Sequence, residues 1–277
     1  MSSEIEEIEI DLLLEAVLRR YGYDFRGYAR TSVRRRIRQF LHESGMSTIS
    51  NLIPRLLREE SFFEAFLTSL SITVTEMFRD PEVYRNIREK LVPYLKTYPF
   101  IKVWHAGCST GEEAYSIAIL LKEEGIYEKA TIFATDFNDL ALEKAKEGIY
   151  TLDKAQEYIS NYHKSGGIRP FSDYCHAMYG SIVMDKGLKK RITFANHNLV
   201  CDGVFGEMNL ILCRNVLIYF AKSLQQRVLG LFDESLAHGG FLCLGNKETL
   251  QFSDLYGRYR VIDQGCRIYQ KFHGEPR

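Results

Sequence analysis

At 277 residues, with 45% apolar and 26% charged side chains, the chain has an ordinary globular balance and enough length for two domains of roughly 100–200 residues. Its 36 basic and 36 acidic residues cancel, so the molecule as a whole is not built to bind nucleic acid or to insert in a membrane, although local patches can still be charged. Six scattered cysteines without a C-x-x-C pair, and seven histidines without an H-x₃-H spacing, exclude a zinc pattern and read as free thiols in a reducing compartment, with no metal expected.

The opening Met-Ser-Ser-Glu-Ile-Glu-Glu is acidic and lacks the apolar segment of a secretory signal. No apolar run approaches the ~20 residues of a membrane span, so the expected location is cytoplasmic. Up to Pro81 apolar clusters recur at helical spacing: Leu12, Leu13, Ala16 and Val17 form one stripe, and Phe62, Phe63, Phe66, Leu67 and Leu70 another. Thr31 and Ser32 are placed to cap or interrupt a helix over Arg34–Glu43, which Gly45 would end. Asp80 is the expected N-cap of a helix over Glu82–Tyr94, with Pro81 just inside its start. Between Arg19 and His42 lie eight arginines against a single acid, Asp24. In a helix Arg26, Arg30, Arg34 and Arg38 share one side, while Val33, Ile37, Phe40 and Leu41 occupy another. By composition such a row is a solvated face, a nucleic-acid patch or a dock for an acidic protein.

From Phe100 onward strand-like and helical runs alternate: Ile101–His105, Glu112–Glu123, Thr131–Thr135, Leu140–Glu147, Leu210–Cys213, Leu224–Leu236, Phe241–Gly245, then a pair near Tyr259–Ile262 and Arg267–Phe272. That alternation predicts a mostly parallel sheet covered on both faces. Gly166–Asn196 breaks it, with strand-like pieces at Ala177–Met184 and Arg191–Phe194 around an Asp185-Lys186-Gly187 turn, and reads as a small antiparallel insertion. The predicted organisation is a helical domain over 1–85 and an α/β domain over 86–277, with the β-subdomain inserted at about 166–196.

Val103-Trp-His-Ala-Gly-Cys-Ser-Thr-Gly-Glu-Glu-Ala-Tyr-Ser reads as a strand, a small-residue turn and a helix. Gly107 and Gly111 permit a sharp turn and close approach of a ligand to main-chain N–H groups. The stretch is neither G-x-G-x-x-G nor a P-loop, and Glu112 and Glu113 would repel a pyrophosphate while suiting a cationic ligand. Asp136, at the tip of the next strand, is placed to hold ribose hydroxyls. Adenosine with a cationic partner and no phosphates describes S-adenosylmethionine; NAD and ATP fit poorly. A plain strand–turn–helix with a capping acid is the other reading. Arg214, Asn215 and Tyr219 follow the apolar strand ending at Cys213, at the sheet edge where ligands sit, though Arg214 and Asn215 could simply cap the next helix.

At these residues the chain resembles the chemotaxis receptor methyltransferases, the CheR family. The resemblance rests on Thr75-Glu-Met-Phe-Arg-Asp-Pro, Ala106-Gly-Cys-Ser-Thr-Gly-Glu-Glu-Ala-Tyr-Ser, Ala134-Thr-Asp, Asn198-Leu199 and Cys213-Arg-Asn-Val-Leu-Ile-Tyr-Phe, and spans nearly the whole chain. It implies a Rossmann-like class I methyltransferase domain, mostly parallel with an antiparallel last strand, carrying a small inserted β-subdomain behind an N-terminal all-helical domain. It also implies that Thr73, Thr75, Arg79, Glu113, Asp136, Asn198, Leu199, Arg214 and Asn215 contact the cofactor, with Arg79 and Tyr219 closest to the transferring methyl. The family often carries Asn at the position of Thr73, and commonly a proline at that of Ala114.

The implied activity is methyl transfer from S-adenosylmethionine to glutamate carboxylates of methyl-accepting chemotaxis receptors. An ionised glutamate needs no general base, which agrees with the lack of a His–Asp or Cys–His arrangement in these motifs. The resemblance turns the row of Arg26, Arg30, Arg34 and Arg38 into a dock for the acidic methylation region of the receptor's cytoplasmic helical bundle. In some relatives the β-subdomain grips a peptide at the receptor C-terminus; no gripping motif is matched in Gly166–Asn196, and a bracing hairpin serves equally. The alternatives are a non-catalytic scaffold that senses S-adenosylmethionine, or a methyltransferase with another acceptor. The Asn-Pro-Pro-Tyr type motif of nucleic-acid amino-methylating enzymes is absent where Cys213-Arg-Asn-Val stands.

Overall fold

The computed structural model describes residues 3–71 and 75–272. They fall into two compact units, 3–71 with 219–228, and 75–218 with 229–272.

The first unit contains α1 (Ser3–Tyr21), α2 (Arg30–Glu43), α3 (Leu52–Arg58) and α4 (Glu60–Leu70). Its buried side chains include Ile10, Leu13, Leu14 and Val17 of α1, Val33, Ile37 and Phe40 of α2, and Phe63, Phe66, Leu67 and Leu70 of α4. Leu12, placed in the inward stripe by spacing, faces out at 56% exposure with Ile5 and Ile8 on the same side. The buried stripe of α1 is centred one step round the helix, on Ile10, Leu13, Leu14 and Val17. Thr31 and Ser32 do not cap α2; they lie in its first turn. The helix starts at Arg30 because the chain is pinned just before it: Ala29 N donates to Tyr219 O at 2.8 Å and Ala221 N to Gly27 O at 2.9 Å, flanking a Tyr28–Phe220 bridge. Ser32 N and Val33 N then both donate to Ala29 O.

In the second unit the helix expected over Glu82–Tyr94 is broken into α5 (Pro81–Asn86), a π-turn at Ile87–Leu91 and α6 (Val92–Leu95). Pro93 has no N–H to continue an α-ladder, and the wider turn accommodates that loss. The chain continues through β1 (Ile101–Ala106), α7 (Glu112–Glu123), β2 (Ala130–Asp136), α8 (Asp139–Glu147), β3 (Ile149–Thr151), α9 (Ala155–Lys164), β4 (Cys175–Met178), β5 (Ser181–Met184), α10 (Lys186–Lys189), β6 (Ile192–Asn196) and β7 (Met208–Cys213). It ends with α11 (Lys222–Ser235), of which the residues up to Val228 count with the first unit, then β8 (Leu236–Leu244), β9 (Tyr259–Asp263) and β10 (Ile268–Lys271).

Seven strands form one sheet in the order β6-β2-β1-β7-β8-β10-β9. The first five run parallel, and β10 lies antiparallel to both neighbours. One face of the sheet presents Val103, Ile132, Leu210, Leu212, Phe241 and Cys243 to a core shared with Ile117, Leu120 and Leu121 of α7. On β1 the adjacent Trp104 takes the other side: its ring meets Phe205 and Phe232 edge-on, and its Nε1 donates to Thr135 Oγ1 at 2.9 Å. Because β1 pairs with β2 on one side and β7 on the other, the strand order reverses there. The C-terminal ends of these strands bound a crevice of the kind that holds ligands in open α/β sheets.

The small sheet is antiparallel as read, but three of its parts differ. Its order is β3-β5-β4, so Ile149–Thr151 supplies a strand from outside Gly166–Asn196. Ala177–Met184 is not one strand but the greater part of a hairpin, turning at Tyr179 and Gly180, both with positive φ. The piece at Arg191–Phe194 belongs to the main sheet, as β6 parallel to β2. Alternation within so short a run cannot tell which sheet supplies the hydrogen-bond partners.

Candidate cofactor site

β1 ends at Ala106 and the chain turns through Gly107, whose φ of +79° is strained for any side chain. An added Cβ would stand 2.5 Å from Val216 Cγ2, so the turn after β1 and the loop after β7 touch at a point that admits only hydrogen. Both Gly107 N and Cys108 N donate to Thr135 O, at 2.8 and 2.9 Å, lashing the turn to β2. The Asp136 carboxylate accepts from Ser109 N at 2.8 Å and from Asn138 N at 3.0 Å. Burial pushes this carboxyl up, opposed by the same backbone N–H groups.

Glu113, on the first turn of α7, sits in a buried ion cluster. Its Oε1 accepts from Arg214 Nη1 at 2.5 Å and Tyr84 OH at 3.2 Å, and its Oε2 lies 3.2 Å from His105 Nε2. Burial alone would raise the Glu113 carboxyl, but Arg214 and His105 outweigh it and hold the group well below the usual carboxylate range. Arg214 also reaches Asp80 Oδ2 at 2.7 Å through Nη2, and Arg79 O at 3.1 Å through Nη1. Asp80 is thus not a side-chain cap for α5: it has φ of 55°, makes no capping bond, and spends its carboxylate on Arg214. Phe78, with φ of 53°, and Asp80 bracket Arg79 with two left-handed residues. Phe78 N donates to Ser116 Oγ at 2.9 Å, which fixes this tight turn against α7. Glu112, paired with Glu113 in the sequence reading, is separate from the cluster; it is buried and accepts from Thr110 Oγ1 at 2.7 Å.

The remaining expected residues are placed as follows. Thr73 lies outside the described residues, and Thr75 is half-buried at the start of the next described stretch. Asn198 Oδ1 accepts from Val200 N at 3.0 Å, an Asx-type turn that leaves Leu199 buried. Asn215 holds φ of +62° immediately after Arg214. Reading the sequence missed His105, Tyr84 and Glu248. His105 had a signal, since it shares the inward face of β1 with Val103; Tyr84 is a single aromatic in a largely charged helical run, and Glu248 follows Gly245 with no periodicity to mark it.

Residues 73–264 match the family described as CheR methyltransferase, SAM binding domain, and residues 8–71 the one described as CheR methyltransferase, all-alpha domain. Cher3 of Pseudomonas putida is 49% identical over 265 residues, covering 96% of this chain and 97% of that protein. The chemotaxis protein methyltransferase of Listeria innocua is 29% identical, over 91% of this chain and 95% of its own length. That of Borreliella burgdorferi is 26% identical, over 91% of each.

The chain belongs to the CheR methyltransferase family. It is an S-adenosylmethionine-dependent methyltransferase with the expected fold: a mostly parallel seven-stranded sheet, an antiparallel strand at one end, and an all-helical N-terminal domain.

The residues at the strand ends fit that cofactor. His105 Nδ1, Ser109 Oγ and Arg214 Nε are buried without a hydrogen-bond partner among the described residues, beside a carboxylate at Asp136 and the glycine at position 107, which carries no side chain. A ligand with several polar groups and no phosphates can satisfy such atoms, whereas a dry apolar ligand cannot.

For the CheR arginine row the structure adds partners that periodicity could not reveal. Arg30 pairs with Glu7 at 2.6 Å and Asp11 at 2.7 Å, Arg34 with Glu7, and Arg38 with Glu6 at 2.5 Å, all acids of α1. Arg26 precedes α2 and pairs with Asp24 at 2.9 Å and Glu15 at 3.2 Å. Tyr219 groups with the helical unit, where its ring lies 5.7 Å from the Arg36 guanidinium carbon. Among the described residues no helix is long and apolar enough to cross a membrane.

Proposed function

We propose that this chain esterifies glutamate side chains of methyl-accepting chemotaxis receptors. The carrying observation is the gathering of Glu113, Arg214, Asp80 and Asp136 at the ends of β1, β2 and β7 in a member of a family whose relatives are named chemotaxis protein methyltransferases.

S-adenosylmethionine supplies an electrophilic methyl on a sulfonium. In this reading Asp136 holds the ribose, and Thr73, Thr75, Glu113, Asn198, Leu199, Arg214 and Asn215 complete the cofactor site. Arg79 and Tyr219 stand nearest the reacting atoms. Arg79 carries a charge suited to orienting a carboxylate, and the left-handed residues beside it restrict where its backbone can go. The acceptor is ionised near neutral pH, so no base is required, and catalysis rests on orientation. The arginines of the helical unit serve as the dock for an acidic receptor helix bundle on the cytoplasmic side.

Incubation with methyl-labelled S-adenosylmethionine and receptor-containing membranes of the same host tests this. The expected result is a receptor-sized labelled band that releases methanol in alkali. Cofactor binding with no alkali-labile label on intact receptors would refute it, in favour of a sensing scaffold or another acceptor. An Arg79→Ala enzyme with undiminished turnover would remove Arg79 from its role.

A further inference from the structure

Glu248 does something that neither the fold nor the methyl-transfer reading requires of it. It is 4% exposed, and among the described residues no arginine or lysine is paired with it. Its carboxylate instead collects four main-chain N–H groups. Oε1 accepts from Val216 at 2.8 Å and Ile218 at 3.3 Å; Oε2 accepts from Gly245 at 2.6 Å and Asn215 at 3.1 Å. Three of those donors belong to the loop that leaves β7 immediately after Arg214. Successive backbone N–H groups converging in this way form an anion-binding concavity, and here the chain fills it with its own side chain.

The geometry excludes a passive role for the charge. A carboxylate is acceptor-only with about four lone-pair sites, so it can serve all four donors; a glutamine has one acceptor oxygen and would turn an NH₂ group against the rest. The close approach is also built into the backbone, because a Cβ on Gly245 would stand 2.7 Å from both Asn215 N and Glu248 Oε2. All peptide bonds among the described residues are trans. The carbonyls of Arg214, Asn215 and Leu217 are therefore turned away from Glu248, opposite the N–H groups it holds. Asn215 is kept in the left-handed region, a conformation that needs support from its surroundings.

We propose that Glu248 is a positioning residue: its buried carboxylate presets the Asn215–Ile218 loop so that Arg214 and Asn215 are already arranged when S-adenosylmethionine binds. The proposal rests on the cofactor reading above and adds a residue that contacts no substrate in it.

The test compares the parent, Glu248→Gln and Tyr259→Phe. The last removes a 3.0 Å hydrogen bond to buried Asp233 and controls for general loss of stability in the same unit. Calorimetric titration with S-adenosylhomocysteine, well below the melting point of each protein, is expected to show Glu248→Gln weakened by about tenfold or more, as loss of hydrogen bonds to a charged group implies, with Tyr259→Phe binding like the parent. Equal affinity in Glu248→Gln and parent, or equal weakening in both variants, overturns the proposal.

Amide exchange on the ligand-free parent answers independently of whether Glu248→Gln folds. Slow exchange at 215–218 that changes little on adding S-adenosylhomocysteine supports a preset loop. Fast exchange that slows only with ligand overturns it. A parent that binds no S-adenosylhomocysteine overturns the cofactor reading instead, and the exchange result still decides whether the loop is ordered without ligand.

Discussion

At the scale of residues, the buried pair of Glu113 and Arg214 settles what the two glutamates after the glycine turn are doing. Adjacent in sequence, they diverge in the fold: Glu113 neutralises Arg214 and meets His105, while Glu112 takes a hydroxyl from Thr110. Removing one member of a buried pair leaves an uncompensated charge, typically costing about 3–5 kcal/mol. Glu113→Gln should therefore unfold at lower urea than the parent at neutral pH. The sign with pH follows from the depressed Glu113 carboxyl. A lowered folded pKa contributes stability in full above the unfolded value of about 4.3, and that contribution fades as acid is added below it. The difference between variant and parent should thus shrink below roughly pH 4.3; a constant difference down to acid unfolding would contradict the pairing. Asp136→Asn tests the neighbouring role. Loss of charge-assisted hydrogen bonds to a ribose should weaken S-adenosylhomocysteine by about tenfold to a hundredfold in titration calorimetry.

At the scale of elements, the turn after β1 and the loop after β7 are interlocked by absence of atoms. Gly107→Ala forces a side chain into the left-handed region, at a cost of order 1–3 kcal/mol, and drives its methyl onto Val216. The expected result is a lower denaturation midpoint with an unchanged slope; a midpoint equal to the parent's would mean the contact relaxes freely. Helix boundaries show why local signals mislead. Thr31 and Ser32 are good capping residues, yet α2 begins before them because Gly27–Ala29 is held by residues 219–221 of the distant chain. Asp80 is likewise a good N-cap whose carboxylate is taken by Arg214.

At the scale of the whole molecule, zero net charge conceals an internal arrangement of opposite charges. The acids of α1 stand against the arginines of α2, so an acidic partner must compete with Glu6, Glu7 and Asp11 for the same guanidinium groups. These pairs are partly buried, with Asp11 and Arg38 reaching solvent, so salt screens them in part and an acidic partner has an exposed edge at which to exchange. A Glu6→Gln, Glu7→Gln protein should bind an acidic receptor fragment several-fold more tightly than the parent at low salt. The two should converge as ionic strength rises. Unchanged affinity at low salt would remove this arginine row from the docking surface.

Strand–helix alternation after Phe100, the glycine turn, Asp136 and the Arg214–Asn215 pair could all be read from the chain, because local periodicity and short motifs encode elements and the ends of strands. Partners could not. That Arg191–Phe194 joins β2 rather than the hairpin, that Glu113 meets Arg214 across 101 residues, and that Glu248 gathers the amides of a loop 30 to 33 residues away are decided by which surfaces pack together. Hydrogen bonds and ion pairs over such separations have no period in the sequence; they exist only once the sheet has brought the ends of its strands side by side.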